Sequence, residues 1–181
     1  MLRSMPHVVV RAPSPFYSQR TAKIQLLVVH ATCSTNQHGN GDLAAIGEWF
    51  QNPQAQVSAH VCVDADGQSA RYVPDRLKAW HCAGFNGPSL GLEQIGQTTG
   101  FRWLRPEVRE AARWIALWSR RYDIPIRQGR VSQSGAVLRS GVIKHSQLGE
   151  KGGNHDDPGK GDPWRTLLAL AAHYKVRQSG R

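Results

Sequence analysis

Apolar and polar positions fall into short blocks whose period changes along the chain. IQLLVVHA (24 to 31) is a continuous apolar, β-branched run, the mark of a strand buried on both faces. The loop TCSTNQHGNG follows. DLAAIGEWF then has helical spacing, with Asp42 as N-cap and Leu43, Ile46 and Phe50 on one face. VSAHVCVD (57 to 64) alternates with period two, ADG supplies a turn and QSARYVP returns, which predicts a hairpin. AWH and SLGLEQIG (89 to 96) are short strand candidates separated by a Gly/Asn/Pro loop. RPEVREAARWIALWSRRYD predicts the longest helix, with Pro106 near its first turn and Val108, Ala112, Ile115, Ser119 and Tyr122 in one stripe. SGVIKH reads as a short strand, and DPWRTLLALAAHYK as a closing helix.

Strands alternating with helices, without repeats, predict an α/β fold: a single domain with a central mixed β-sheet flanked by helices. The expected divisions are an N-terminal arm at 1–23, the folded domain at 24–174, and a basic tail or start of a linker at 175–181. The arm mixes Pro, Ser and Arg and reads as either ordered or flexible.

Composition narrows this picture. With 181 residues, 40% hydrophobic and 20% charged, the chain suffices for one well-packed domain. No apolar run approaches a bilayer span, so no membrane insertion is expected. The run from His7 to Val10 is too short for the apolar core of a secretory signal, so synthesis in a cytosol is expected. Three cysteines, Cys33, Cys62 and Cys82, do not make a disulfide framework. Buried reduced thiols are the expectation, with Cys62–Cys82 as a pairing if oxidised later. A monomer is expected.

The formal charge of +10 calls for an acidic partner, nucleic acid or an anionic cell envelope. Residues 102 to 130 carry eight arginines against Glu107, Glu110 and Asp123, a net of +5. Lys160 to Arg181 adds a net of +4. No nucleic-acid motif and no interleaving of aromatic with basic residues accompanies the charge, so no nucleic-acid partner is expected.

The segment VIKHSQLGEKGGNHDDPGKGDPW (142 to 164) holds ionisable groups in an irregular, poorly packing stretch. His30 and His145 each stand at the end of a predicted strand, where α/β folds place their sites. Two imidazoles plus a carboxylate from DDPG would supply the three protein ligands of a catalytic zinc, leaving a fourth position for water. Pro158 fixes the local backbone and Gly159 relieves it, so that Asp157 can be aimed. A single histidine at a strand end is more often a hydrogen-bonded rim residue. Cys33 (as His30-x-x-Cys33), His38, His155 and Asp156 compete as ligands by spacing alone.

Five stretches in this order, LLVVHAT, SAHVCVDADGQ, AWHCAG, SLGLEQIG and GVIKHSQLGEKGGNHDDPGKGDPW, resemble the zinc-dependent N-acetylmuramoyl-L-alanine amidases. These are the amidases related to phage lysozyme-amidases and peptidoglycan recognition proteins. The resemblance spans roughly residues 24 to 174 and implies that fold, with 24–174 as the catalytic domain. It implies that His30, His145 and Asp157 hold Zn2+, that Glu93 is the catalytic base, and that His60 and His81 line the substrate groove. Many members carry a lysine two residues before the metal carboxylate; here stands His155, whose imidazole would meet the developing oxyanion.

Trp80 and Trp103 are candidates to border a sugar-binding groove, whereas Trp114 and Trp118, four apart on the long helix, are expected to pack. The implied reaction is hydrolysis of the amide between N-acetylmuramic acid and L-alanine in bacterial peptidoglycan. The implied role is that of a phage endolysin, held in the host cytoplasm until the membrane is permeabilised and then active at the wall. Anionic cell-wall polymers would engage the basic surface. A non-catalytic binding module on the same fold and an intracellular muropeptide-recycling amidase are the alternatives.

Overall fold

The computed structural model describes residues 5–34, 40–97 and 103–179. Its centre is a six-stranded mixed sheet in the order β1-β5-β4-β7-β3-β10. These strands are β1 (Val8–Arg11), β3 (Leu26–Ala31), β4 (Val61–Val63), β5 (Ser69–Arg71), β7 (Ser89–Gln94) and β10 (Gly141–Lys144). β4 and β5 pair antiparallel as the predicted hairpin, while β4, β7, β3 and β10 run parallel. All six residues of β3 are buried because both faces of the sheet are covered.

The two faces are covered differently, and strand alternation assigns each side chain to one of them. Leu27 and Val29 of β3, Leu90 and Leu92 of β7 and Val142 of β10 pack under α2 (Arg105–Arg121) and α3 (Trp164–Ser179). The opposite parity, Leu26, Val28 and Ile143, packs instead against Cys82, Phe85 and Leu148 from loops. His30 and Glu93 share that second parity, so both stand on the loop-covered face. α1 (Asn40–Trp49) is shorter than its neighbours and seats Leu43, with Phe50 after it, on Cys62, Tyr72 and Ile95.

α2 begins with Pro106 in its first turn, as predicted. Trp114 and Trp118 are packing residues: both are buried, their ring centroids are 5.3 Å apart, and Trp114 Nε1 donates to Ser69 Oγ at 3.0 Å.

Within the expected N-terminal arm, residues 5–23 contribute to the sheets. β1 joins the edge of the main sheet beside β5, and β2 (Tyr17–Gln19) pairs antiparallel with β6 (Leu77–Ala79). Arg20 fastens this arm by donating to the carbonyls of Leu77 (2.8 Å), Asp75 (3.2 Å) and Gly87. The strand expected at AWH lies slightly earlier, at β6, and Trp80 and His81 follow it in a loop. The hairpin of β8 (Arg130–Val131) and β9 (Val137–Arg139) was not expected from periodicity, because two- and three-residue strands are too short to show a period. α3 continues to Ser179, past residue 175 where a tail was expected to begin. Cys33, Cys62 and Cys82 are all free, and no helix among the described residues is long and apolar enough to cross a membrane.

Candidate active site

Three parallel strands deliver the reactive groups to one place. β3 and β7 are in register with His30 opposite Glu93, and β10 pairs Lys144 with Val29, so that His145 emerges beside His30. Asp157 is brought in by the loop beyond: Ala31 N–H donates to its Oδ2 at 3.1 Å, and Ser146 N–H to its carbonyl at 2.9 Å. Gly159, at φ +81°, supplies the left-handed turn that ends the Asp157-Pro158-Gly159 segment. Asp157 is 4% exposed, while Asp156 points into solvent. That alternation decides between the adjacent carboxylates.

The geometry fits a cation. His145 Nε2 lies 2.8 Å from the carbonyl of Gly152, which can only accept, so Nε2 carries the hydrogen and the Nδ1 lone pair faces inward. That Nδ1 stands 3.0 Å from His30 Nδ1 and 2.9 Å from Asp157 Oδ1, and His30 Nδ1 is 3.5 Å from Asp157 Oδ2. A tetrahedral zinc with bonds of about 2.0–2.1 Å needs ligand atoms separated by about 3.3 Å. His30, His145 and Asp157 are accordingly the group among the described residues that could hold a metal ion. Burial lowers the pKa of His30 to about 4, against the opposing pull of Asp157, which keeps the ring neutral as a ligand must be. Burial pushes the Asp157 carboxyl up, but its close contacts with the rings of His145 and His30 outweigh burial and hold the group well below the usual range.

Glu93 sits at the edge of this cluster with Oε1 4.0 Å from His30 Nδ1 and a side chain 14% exposed. Its carboxyl is raised well above the ordinary value by burial first and by the charge of Asp157 second. Oε2 has no hydrogen-bond partner among the described residues. His155 stacks on His145, with centroids 4.3 Å apart and planes 19° from parallel. Its side chain is 57% exposed and its Nδ1 lies 3.8 Å from Asp157 Oδ1.

His30, Glu93, His145, His155 and Asp157 open onto one cavity of about 510 Å³. Trp80 lines it, propped by a hydrogen bond from its Nε1 to Ser18 Oγ (2.8 Å) and by the ring of Phe16. His81 also lines it, but both ring nitrogens face protein: Nδ1 is 2.9 Å from His30 Nε2, and Nε2 is 3.1 Å from Ser89 Oγ. The expectation that His60 lines the groove is corrected. It is fully buried behind His81, with Nδ1 accepting from Gly91 N–H at 2.9 Å and Nε2 3.2 Å from the Leu77 carbonyl. Burial, with Arg20 adding to it, depresses its pKa to about 3.

Trp103 is likewise not in this wall; it borders a separate groove of about 200 Å³ between the start of α2 and α3. Cys33 lines the cavity but stands outside the metal cluster, and burial followed by the charge of Asp157 pushes its thiol up to about 11. His38 lies outside the described residues.

Sequence reasoning missed the apolar end of the cavity. Ile46 and Trp49 of α1 line it together with Val57, and Trp49 is 51% exposed. The signal was present: a tryptophan on the side of a short helix away from its buried stripe of Leu43 and Phe50.

A family model described as N-acetylmuramoyl-L-alanine amidase matches residues 20–160. N-acetylmuramoyl-L-alanine amidase A of Achromobacter lyticus is 27% identical over 171 residues, covering 88% of this chain and 89% of that one. Among solved structures, the fold is shared with AmpD (TM-score 0.66, 23% identity, 94% of this chain and 96% of that one). It is shared too with the Staphylococcus aureus hydrolase AmiA solved with its ligand (0.70, 17%, 99% and 87%). The endolysin LysCS of Clostridium intestinale also has it (0.66, 15%, 91% and 95%).

Proposed function

The chain belongs to the N-acetylmuramoyl-L-alanine amidase family and is a peptidoglycan amidase, and from that premise we propose that it works as a zinc hydrolase with His30, His145 and Asp157 as ligands. The observation that carries this reading is the convergence of two imidazole Nδ1 atoms and a buried carboxylate within hydrogen-bond distance of one another, beside Glu93 at one end of an open cavity. The bond cut is the amide between the lactyl group of N-acetylmuramic acid and L-alanine. When bound, zinc would supply Lewis acidity to the amide carbonyl and to the attacking water.

The chain's own residues supply the rest. Glu93, held on β7 opposite His30, takes the proton from the water and returns it to the leaving amine of L-alanine. His155, exposed at the rim, hydrogen-bonds the developing oxyanion, a contact worth about 3 kcal/mol when well placed. Trp80 and the apolar wall at Trp49 hold the substrate flanking the scissile bond. The role proposed is that of an endolysin, acting at the wall once the membrane has opened. Its support is the formal charge of +10, which suits an insoluble anionic wall better than soluble muropeptides.

Mass spectrometry of purified peptidoglycan digested with and without a zinc chelator tests the chemistry. The expected result is release of peptides beginning with L-alanine, lost on chelation and restored by zinc. Intact glycan–peptide linkages, with protein bound to the wall, would overturn it in favour of a binding module. Comparing rates on intact sacculi and on soluble muropeptides tests the role. Faster turnover of the soluble substrate would point to recycling instead.

A further inference from the structure

His81 lies across β7, over a position that only glycine leaves open: a Cβ on Gly91 would come within 2.6 Å of His81 Nδ1. Its loop is held by Asn86, whose Oδ1 accepts from the backbone N–H of His81 (2.9 Å) and of Cys82 (2.7 Å). From this ring a chain of hydrogen bonds runs away from the cavity, and its far end fixes every proton in it. The carbonyl of Phe85 can only accept, so Ser89 Oγ–H, 2.6 Å away, donates to it. Ser89 then has no hydrogen left for His81 at 3.1 Å, and His81 Nε2 must donate. A neutral His81 with its hydrogen on Nε2 has its lone pair on Nδ1, so His30 Nε2, 2.9 Å away, must donate in turn. Neutral His30 is left with its lone pair on Nδ1, the atom that faces His145 and Asp157. Cys82 Sγ, 3.4 Å from Ser89 Oγ, can donate to the hydroxyl's remaining lone pair without disturbing this order.

We propose that His81 and Ser89 are positioning residues, a relay anchored on the Phe85 carbonyl that locks His30 in the tautomer presenting Nδ1 to a metal. Both His81 nitrogens are consumed in the relay, so the ring meets substrate only through carbon. Outer partners of this kind contribute about 10- to 100-fold to metal affinity. The zinc part of the inference rests on the metal-site reading above, while the tautomer part stands without it.

The experiment pairs two readouts. Histidine 15N NMR of the metal-free protein reads the His30 tautomer, and competition against a chromophoric chelator reads zinc affinity. The variants are Ser89→Ala, His81→Ala and the double variant, each checked for an unchanged metal-free melting temperature. The wild type is expected to carry the His30 hydrogen on Nε2 alone. Ser89→Ala should give mixed tautomers and zinc binding weaker by about 10- to 100-fold. Adding Ser89→Ala to His81→Ala should cost nothing further, because the two act through one path.

Saturating zinc should restore the Ser89→Ala rate with KM unchanged, a response that damage to substrate binding would not give. An unmixed Nε2–H tautomer with wild-type zinc affinity in Ser89→Ala, or additive losses in the double variant, would overturn the relay. A wild type with the Nε2–H tautomer that binds zinc no better than Asp157→Ala would uphold the relay and sink the metal-site reading.

Discussion

Glu107, in the first turn of α2, is fully buried. The helix N-terminus favours a negative charge there by about 0.3–1 kcal/mol. Burial opposes it and raises the carboxyl to about 9, aided by the charges of Asp64 and Asp162. Neither oxygen finds a well-aligned hydrogen-bond donor among the described residues, and the Leu104 backbone amide acts the other way without outweighing burial. The native protein therefore keeps this proton across the window from 4.5 to about 9, where the unfolded chain has released it.

With the native state binding more protons, stability falls as pH rises through that window, by about 1.4 kcal/mol per pH unit. At pH 7.5 the accumulated cost is about 4 kcal/mol, and it depends only on the folded pKa lying above the assay pH. Replacing Glu107 with Gln removes the titration and keeps the shape. Urea denaturation of wild type and E107Q, at matched zinc and ionic strength, isolates the group because all other titrations cancel in the difference. E107Q is expected to gain on the wild type by about 4 kcal/mol between pH 5 and pH 8. A difference that stays constant over those three units would refute the reasoning.

Four further outcomes are expected. Asp157→Ala should lose both bound zinc and activity; zinc stoichiometry by atomic absorption checks it, and a full complement of metal would remove Asp157 from the ligand set. Glu93→Gln should retain zinc while kcat falls by about 10²–10⁴-fold, and a near-normal kcat would mean another group moves the proton. His155→Ala should lower kcat by about 10²-fold with little change in KM; a change confined to KM would make it a binding residue instead. Turbidity clearing of whole walls should slow steeply between low and physiological salt, since exposed charges are screened over about 8–10 Å, and a flat profile would leave the +10 charge without a role in wall attachment.

The sequence by itself determined the helices and the core strands, the mixed-sheet α/β class and the two strand ends at which His30 and His145 stand, but not the short strands β1, β2, β8 and β9. Periodicity reports which face of its own element a residue occupies, and that information is local. The sequence offered a carboxylate in DDPG, and the resemblance put Asp157 ahead of Asp156; only the tertiary path of the loop supplies the physical reason, by burying one and exposing the other. Glu107, counted as a negative charge from sequence, becomes neutral at pH 7 because of what packs around it. His60 and His81 looked alike as groove residues. The sheet put one beneath the other and gave both nitrogens of His81 to His30 and Ser89. Trp49 gained its place at the cavity mouth from the docking of α1 against β4. Each of these outcomes depends on which distant segments become neighbours, and chain-local patterns of hydrophobicity do not encode that pairing residue by residue.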